Sequence, residues 1–152
     1  DDMKPVGGTM LIPDQVIATW TFRRSQIFPG ETICGLIVQL MHPDLFKGRD
    51  CLWFVDNEAA VSALIRGTCR EADVHEIAQS SSLLTAALGA RVWYEWIDSD
   101  SNPSDGLSRL GLKDPWTVRQ PWAVEEFTTP AFLSEPKVLD VFWKMCEKIS
   151  TA

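Results

Sequence analysis

Apolar and polar positions along this chain change period several times, and each change marks an element. Residues 6–24, VGGTMLIPDQVIATWTFRR, alternate β-branched and aromatic residues with polar ones on both sides of Pro13-Asp14, which predicts a hairpin of two strands. In SQIFPGETICGLIVQLMHPDLF, Ile33, Leu36, Ile37 and Leu40 recur at helical spacing, so a short buried helix is expected from near Glu31, with Pro29 at its start and Pro43 as its stop. CLWFVD is a continuous apolar run ending on Asp56, as a strand buried on both faces would read. NEAAVSALIRGT places Ala60, Leu64 and Ile65 on one side of a helix that Gly67 terminates. EADVHEIAQSSSLLTAALGA repeats that form with Val74, Ile77, Ala78 and Leu84, and Gly89 ends it. RVWYEWI predicts another strand, and DSDSNPSDGLSRLG a polar loop running into a short helix.

The order hairpin, helix, strand, helix, helix, strand, loop, helix describes an α/β fold with a mixed sheet. The last forty residues differ. KDPWTVRQPWAVEEFTTPAFLSEP holds four prolines and two tryptophans without sustained period, which predicts an extended arm pinned by Trp116 and Trp122. KVLDVFWKMCEKIS then predicts an amphipathic helix with Val138, Val141, Phe142 and Met145 on its apolar side.

Composition narrows the class. With 152 residues the chain can bury one proper core, and 45% hydrophobic and 10% aromatic residues argue for a folded domain. A net charge of -7 argues against a free-standing, electrostatically driven nucleic-acid binder, yet an acidic balance also suits carboxylates that await a divalent ion. The cysteines, Cys34, Cys51, Cys69 and Cys146, form no CxxC pair and read as reduced thiols, the first two as small buried hydrophobes. No apolar run reaches membrane-span length and no signal peptide opens the chain, so an intracellular protein is expected, and the start on Asp1-Asp2 without a Met reads as a fragment of a longer product.

Four acids stand at element ends. Asp56 closes an apolar strand, where ligands of open α/β sheets gather, although an Asp there serves equally well as the cap of the following helix. Asp1 or Asp2 precedes the first hairpin, Glu31 lies in the first turn of a helix, and Asp105 begins a late helix. Each has a local reading of its own, as a frayed terminus, a dipole-favoured Glu or an N-terminal helical Asp.

FVDNEAAVSALIRGT followed by RVWYEWIDSDSNPSDGLSRLG resembles the RNase H domain attached to retrotransposon reverse transcriptases, including those of tyrosine-recombinase elements. That family shows a strand ending in Asp-Asn, a helix closing on Gly, a second strand, then Asn-Pro-(small)-Asp-x-(small)-Ser-Arg, which NPSDGLSR matches. DDMKPVGG and PGETICGLI occupy the places of the family's opening Asp, its GG hairpin and its first-helix Glu. The family's first strand carries apolar residues before its Asp; here nothing precedes Asp1. The resemblance covers residues 1–111 as an RNase H-like domain and leaves 112–152 as a C-terminal extension.

The resemblance implies a catalytic set of Asp1 (or Asp2), Glu31, Asp56 and Asp105, holding two Mg²⁺, with Mn²⁺ as a substitute, for hydrolysis of the RNA strand of RNA/DNA hybrids. A pair of such ions about 3.5–4 Å apart activates water and stabilises the leaving oxygen, and hard cations of this kind take oxygen donors. Asp56 and the first Asp would share the metals while Glu31 and Asp105 each complete one side. The hybrid is read by shape and 2′-hydroxyls. Arg23, Arg24, Arg66, Arg70 and Arg109 are candidate phosphate contacts or plain surface cations, and a reverse transcriptase polymerase domain in the same polyprotein would supply further grip. His42 and His75 lie outside the loop where some RNase H enzymes place a mobile His, Asp98 and Asp100 read as loop solvation or as outer support for a metal, and Trp53, Trp93 and Trp96 read as core. A second class of function stands beside the nuclease: a domesticated RNase H fold acting as a non-catalytic interaction subunit of a protein assembly, which the acidic balance and the proline-rich arm favour.

Overall fold

β2 (Asp50–Val55) and β3 (Arg91–Trp96) pair in parallel, from Asp50 opposite Arg91 to Val55 opposite Trp96. Parallel neighbours need a crossover, and two helices supply it, α4 (Glu58–Arg66) and α5 (Ala72–Ala87). α4 starts where the Asn57 side chain accepts from the Ala60 N–H at 3.0 Å, and it stops at Gly67, whose φ of 63° is left-handed. Along α5 the expected residues Val74, Ile77, Ala78 and Leu84 are all buried. The computed structural model describes residues 6–134 and 138–151; Asp1 and Asp2 lie outside the described residues, as does the side chain of Val138.

The architecture is α/β, with its described strands in two separate parallel pairs where a single mixed sheet was expected. The predicted hairpin does not form. β1 (Val6–Met10) pairs with β4 (Ala123–Phe127), and the chain after Pro13 turns into α1 (Asp14–Ile17). Pro13 fixes the entry: its carbonyl accepts from the Val16 and Ile17 N–H groups, which bends the backbone into a helical turn and buries Val16. Gly8 makes the β1–β4 ribbon possible in this form, since a Cβ there would stand 2.2 Å from the Phe127 ring. The C-terminal segment, expected as an extended arm, thus contributes a strand. It also carries α7 (Pro115–Val118), capped by Asp114, and Trp116 meets Trp122 edge to face at 5.2 Å.

β2 is not buried on both faces. Trp53 and Val55, with Tyr94 of β3, pack on Ala60 and Leu64 of α4, but no described helix covers the opposite face, and Leu52, Phe54 and Trp93 are 70%, 57% and 64% exposed. Trp96, at the strand end, is also exposed, so of the three strand tryptophans only Trp53 belongs to the core; Ile65 likewise points outward from α4.

α2 (Ile27–Met41) starts four residues before Glu31, with Pro29 in its first turn, and ends just ahead of Pro43, which opens α3 (Pro43–Phe46). Its Ile33, Leu36 and Ile37 form the main core with Ile77 and Leu84 of α5 and with Phe142 and Cys146 of α8 (Val138–Thr151). Phe142 is fully buried while Val141 faces outward. Burial of a side chain of that size contributes roughly 1.5–3 kcal/mol.

One ion pair fastens the segment before α2 to α5. The Arg23 guanidinium donates to both oxygens of buried Asp73 at 2.6 and 2.5 Å and, through Nε, to Glu71 at 2.6 Å. Asp73 also accepts from the N–H groups of Thr21 and Val74. Burial alone would raise the Asp73 carboxyl, but Arg23 and these two N–H groups outweigh it and hold it below the usual carboxylate range. Arg23→Ala leaves a buried charge alone and is expected to cost roughly 3 kcal/mol near neutral pH. Because the folded value of Asp73 is depressed, that contribution is present above the unfolded value of about 3.9 and fades as pH falls below it. Urea unfolding of both proteins at pH 7 and pH 3 checks this, and an equal gap at the two pH values would contradict it.

A candidate carboxylate site at the strand ends

The parallel pairing of β2 and β3 puts both strand ends on one side, and the ladder continues one step as the Ile97 N–H donates to the Val55 carbonyl at 3.0 Å. Asp56 and the loop from Asp98 to Asp105 therefore lie next to each other. Asn57 caps α4, so Asp56 is free of the capping role that its position also suggested. Its carboxylate instead accepts from the Asn102 side-chain amide at 3.1 Å.

Glu31, in the second turn of α2, comes against Asp56. A cleft of about 300 Å³ has Glu31, Asp56, Asn102, Ser104 and Ser108 as its polar lining and Ile37, Val38, Trp53, Val55 and Phe127 as its apolar wall. Burial pushes Glu31 up to about 7, aided by the charge of Asp56, a hydrogen bond with it, and the charge of Asp105. Crowded carboxyl groups oppose each other's ionisation, and this adds to the effect of burial on Glu31.

Asp105 opens α6 (Asp105–Leu110) and takes part in this crowding, but its oxygens accept from Arg109 Nε at 3.0 and 3.1 Å. As placed, no three of the His, Cys, Asp and Glu side chains among the described residues form a metal-binding group. The donors still fit a hard divalent ion in kind, all being carboxylate oxygens. Of the predicted set, Glu31 and Asp56 are brought into hydrogen-bond contact and Asp105 into electrostatic reach.

Other expected residues have local partners. Asp98 accepts from the Ser101 N–H across a short 3-10 turn, and Asp100 is exposed within that turn. His42 meets Glu125 of β4 at 2.6 Å, and His75 pairs with Thr68 at 3.0 Å; neither lines the cleft. Arg23 is held by Asp73 and Arg109 by Asp105, while Arg24, Arg66 and Arg70 are exposed.

Two features of the cleft were missed in the sequence. Cys34, expected to be buried, is exposed along the cleft one helical turn beyond Glu31. Protein packed around its sulfur, together with the charges of Glu31 and Asp56, nonetheless pushes the thiol up to about 12, so it is not a nucleophile at neutral pH. Asn102 was read as part of a motif; its contact with Asp56 had a signal only in the match between NPSDGLSR and the strand-end Asp. No protein-family model, curated protein or solved structure matches the chain.

The Glu31 environment makes a prediction about stability. Its folded value lies above the unfolded one, so its contribution is fully present below about 4.3 and is lost as pH rises through about 7. Glu31→Gln removes that loss. The variant is expected to match the native chain at pH 4 and to exceed it at pH 8 by roughly 1–2 kcal/mol, a figure discounted for partial solvent screening. Thermal unfolding at both pH values checks this; a variant less stable at pH 8 would show that Glu31 is not crowded.

Proposed function

We propose that this chain is an RNase H-like nuclease unit of a retroelement polyprotein, hydrolysing the RNA strand of RNA/DNA hybrids with divalent metal. The observation that carries the reading is the meeting of Glu31 and Asp56 in one cleft, with Asp105 near enough to act on Glu31. The NPSDGLSR resemblance supports it. Glu31 and Asp56 would hold the ion, Asp105 would join on leaving Arg109, and Asp1 or Asp2 is the remaining donor. A bound divalent ion supplies a water of lowered pKa and neutralises charge at the leaving oxygen.

The chain's own groups do the rest. Asn102 donates its side-chain amide to the Asp56 carboxylate. The apolar wall of Ile37, Val38, Trp53 and Phe127 limits water beside the acids and strengthens each charge interaction there. Ser104 and Ser108 place hydroxyls at the rim, where a 2′-hydroxyl can be met.

A different observation favours the second reading, a non-catalytic interaction subunit. Leu52, Phe54 and Trp93 leave an apolar sheet face uncovered, as an interaction surface would. No described helix is long and apolar enough to cross a membrane.

One assay separates the two. A labelled RNA/DNA hybrid incubated with the chain and Mg²⁺ or Mn²⁺ is expected to be cut, and Asp56→Asn is expected to slow cutting at least about 100-fold, or ~2.7 kcal/mol. Absence of cutting when the polymerase portion is also supplied overturns the nuclease reading and leaves the interaction reading standing.

A further inference from the structure

Asn102 touches both Asp56 and the residue that opens α6, Asp105. Its side-chain oxygen accepts from the Ser104 N–H at 3.0 Å and the Ser104 hydroxyl at 2.7 Å. Two donors on that oxygen fix which way the amide is turned, since an NH₂ group there would face hydrogens. The NH₂ group therefore points the other way, onto Asp56 Oδ2 at 3.1 Å. The Asn102 backbone carbonyl meanwhile accepts from the Asp105 N–H at 3.1 Å, at the start of α6.

We propose that Asn102 is a positioning residue, one that orients the Asp56 carboxylate in the cleft and joins it to the helix start carrying Asp105. The proposal rests on the nuclease reading for its purpose, but its geometry does not. Asp56 stands at the end of a strand and Asp105 at the start of a short helix, and no described backbone hydrogen bond joins those two residues directly. Asn102 links them through one side-chain and one main-chain contact. Neighbours could not replace it: Pro103 has no N–H, and the Ser104 hydroxyl is already donated to Asn102. Aspartate at 102 would put a carboxylate against Asp56, and alanine would leave Asp56 without this donor.

Groups that orient a metal-binding carboxylate typically contribute 10–100-fold to metal affinity. Mn²⁺ titration by calorimetry on the full chain is therefore expected to show Asn102→Ala binding roughly tenfold more weakly than the native protein. In the double variant Asn102→Ala/Asp56→Asn, the two losses should not add, because they remove one shared contact. Equal affinity for the native chain and Asn102→Ala, or fully additive losses, overturns the proposal.

A metal-free measurement keeps the two readings apart. In Asp56→Asn, the side-chain amide resonances of Asn102 should shift while those of the glutamines stay in place. Asn102 amide signals unmoved by Asp56→Asn overturn the positioning role, even if Asn102→Ala fails to fold. A native chain that takes up no Mn²⁺ but shows the amide shift retains Asn102 as the Asp56 partner, and the metal reading is what falls.

Discussion

The parallel pairing of β2 with β3 is the constraint on which the site depends. Antiparallel neighbours would send Asp56 and the loop after β3 to opposite ends of the sheet. Parallel neighbours send both to the same end, and the price is a crossover long enough for two helices. That crossover is also what covers one face of the pair, so the same requirement that gathers the acids buries Trp53 and Val55. α2 packs on α4 and α5, with Gly35 against the Trp53 ring, and brings Glu31 to the strand end.

Placing Glu31 against Asp56 costs free energy, and the surroundings limit that cost in two ways. Glu31 keeps its proton to about neutral pH, which removes one of the two charges. Asp56 keeps a donor in Asn102, and Asp105 is shielded by Arg109 on its own helix. Elsewhere the chain treats a buried acid in the opposite way: Asp73 is matched by a bidentate arginine and two backbone N–H groups, and its carboxyl is held low. One buried acid is fully satisfied and the other is left crowded. That contrast sets the Glu31–Asp56 pair apart from ordinary structural carboxylates.

Much of this was legible in the sequence where period and punctuation agreed. Val74, Ile77, Ala78 and Leu84 gave the inner face of α5, and Gly67 and Gly89 marked real stops with φ values of 63° and 62°. The errors came from elements whose partners are distant in sequence. VIATW alternates as a strand would, but Pro13 starts a helical turn, and the partner that β1 takes up lies more than a hundred residues away at Ala123–Phe127. The run CLWFV is apolar throughout, which signals burial on both faces, yet only one face finds a helix. In the candidate site, Glu31 and Asp56 were singled out by their places at element ends and by the resemblance, and the structure brings those two together. Cys34 and Asn102 were not, because a cleft wall and an amide's direction follow from packing across elements.

The charge distribution bears on how an anionic substrate could reach this cleft. Arg109 and Arg23 are engaged with acids, and Arg91 is paired with Asp50. Arg66 and Arg70 are exposed, but they lie at and beyond the C-terminal end of α4, whereas Asp56 precedes its N-terminal end. Nine helical residues span about 13 Å, longer than the Debye length of about 8 Å at physiological salt, so those cations are largely screened from the cleft. Ionised carboxylates gathered at this end of the sheet oppose a phosphate backbone. On the proposed nuclease reading, a divalent ion held by these same carboxylates would offset that opposition at the point where cutting would occur, whereas a basic surface at a distance would not.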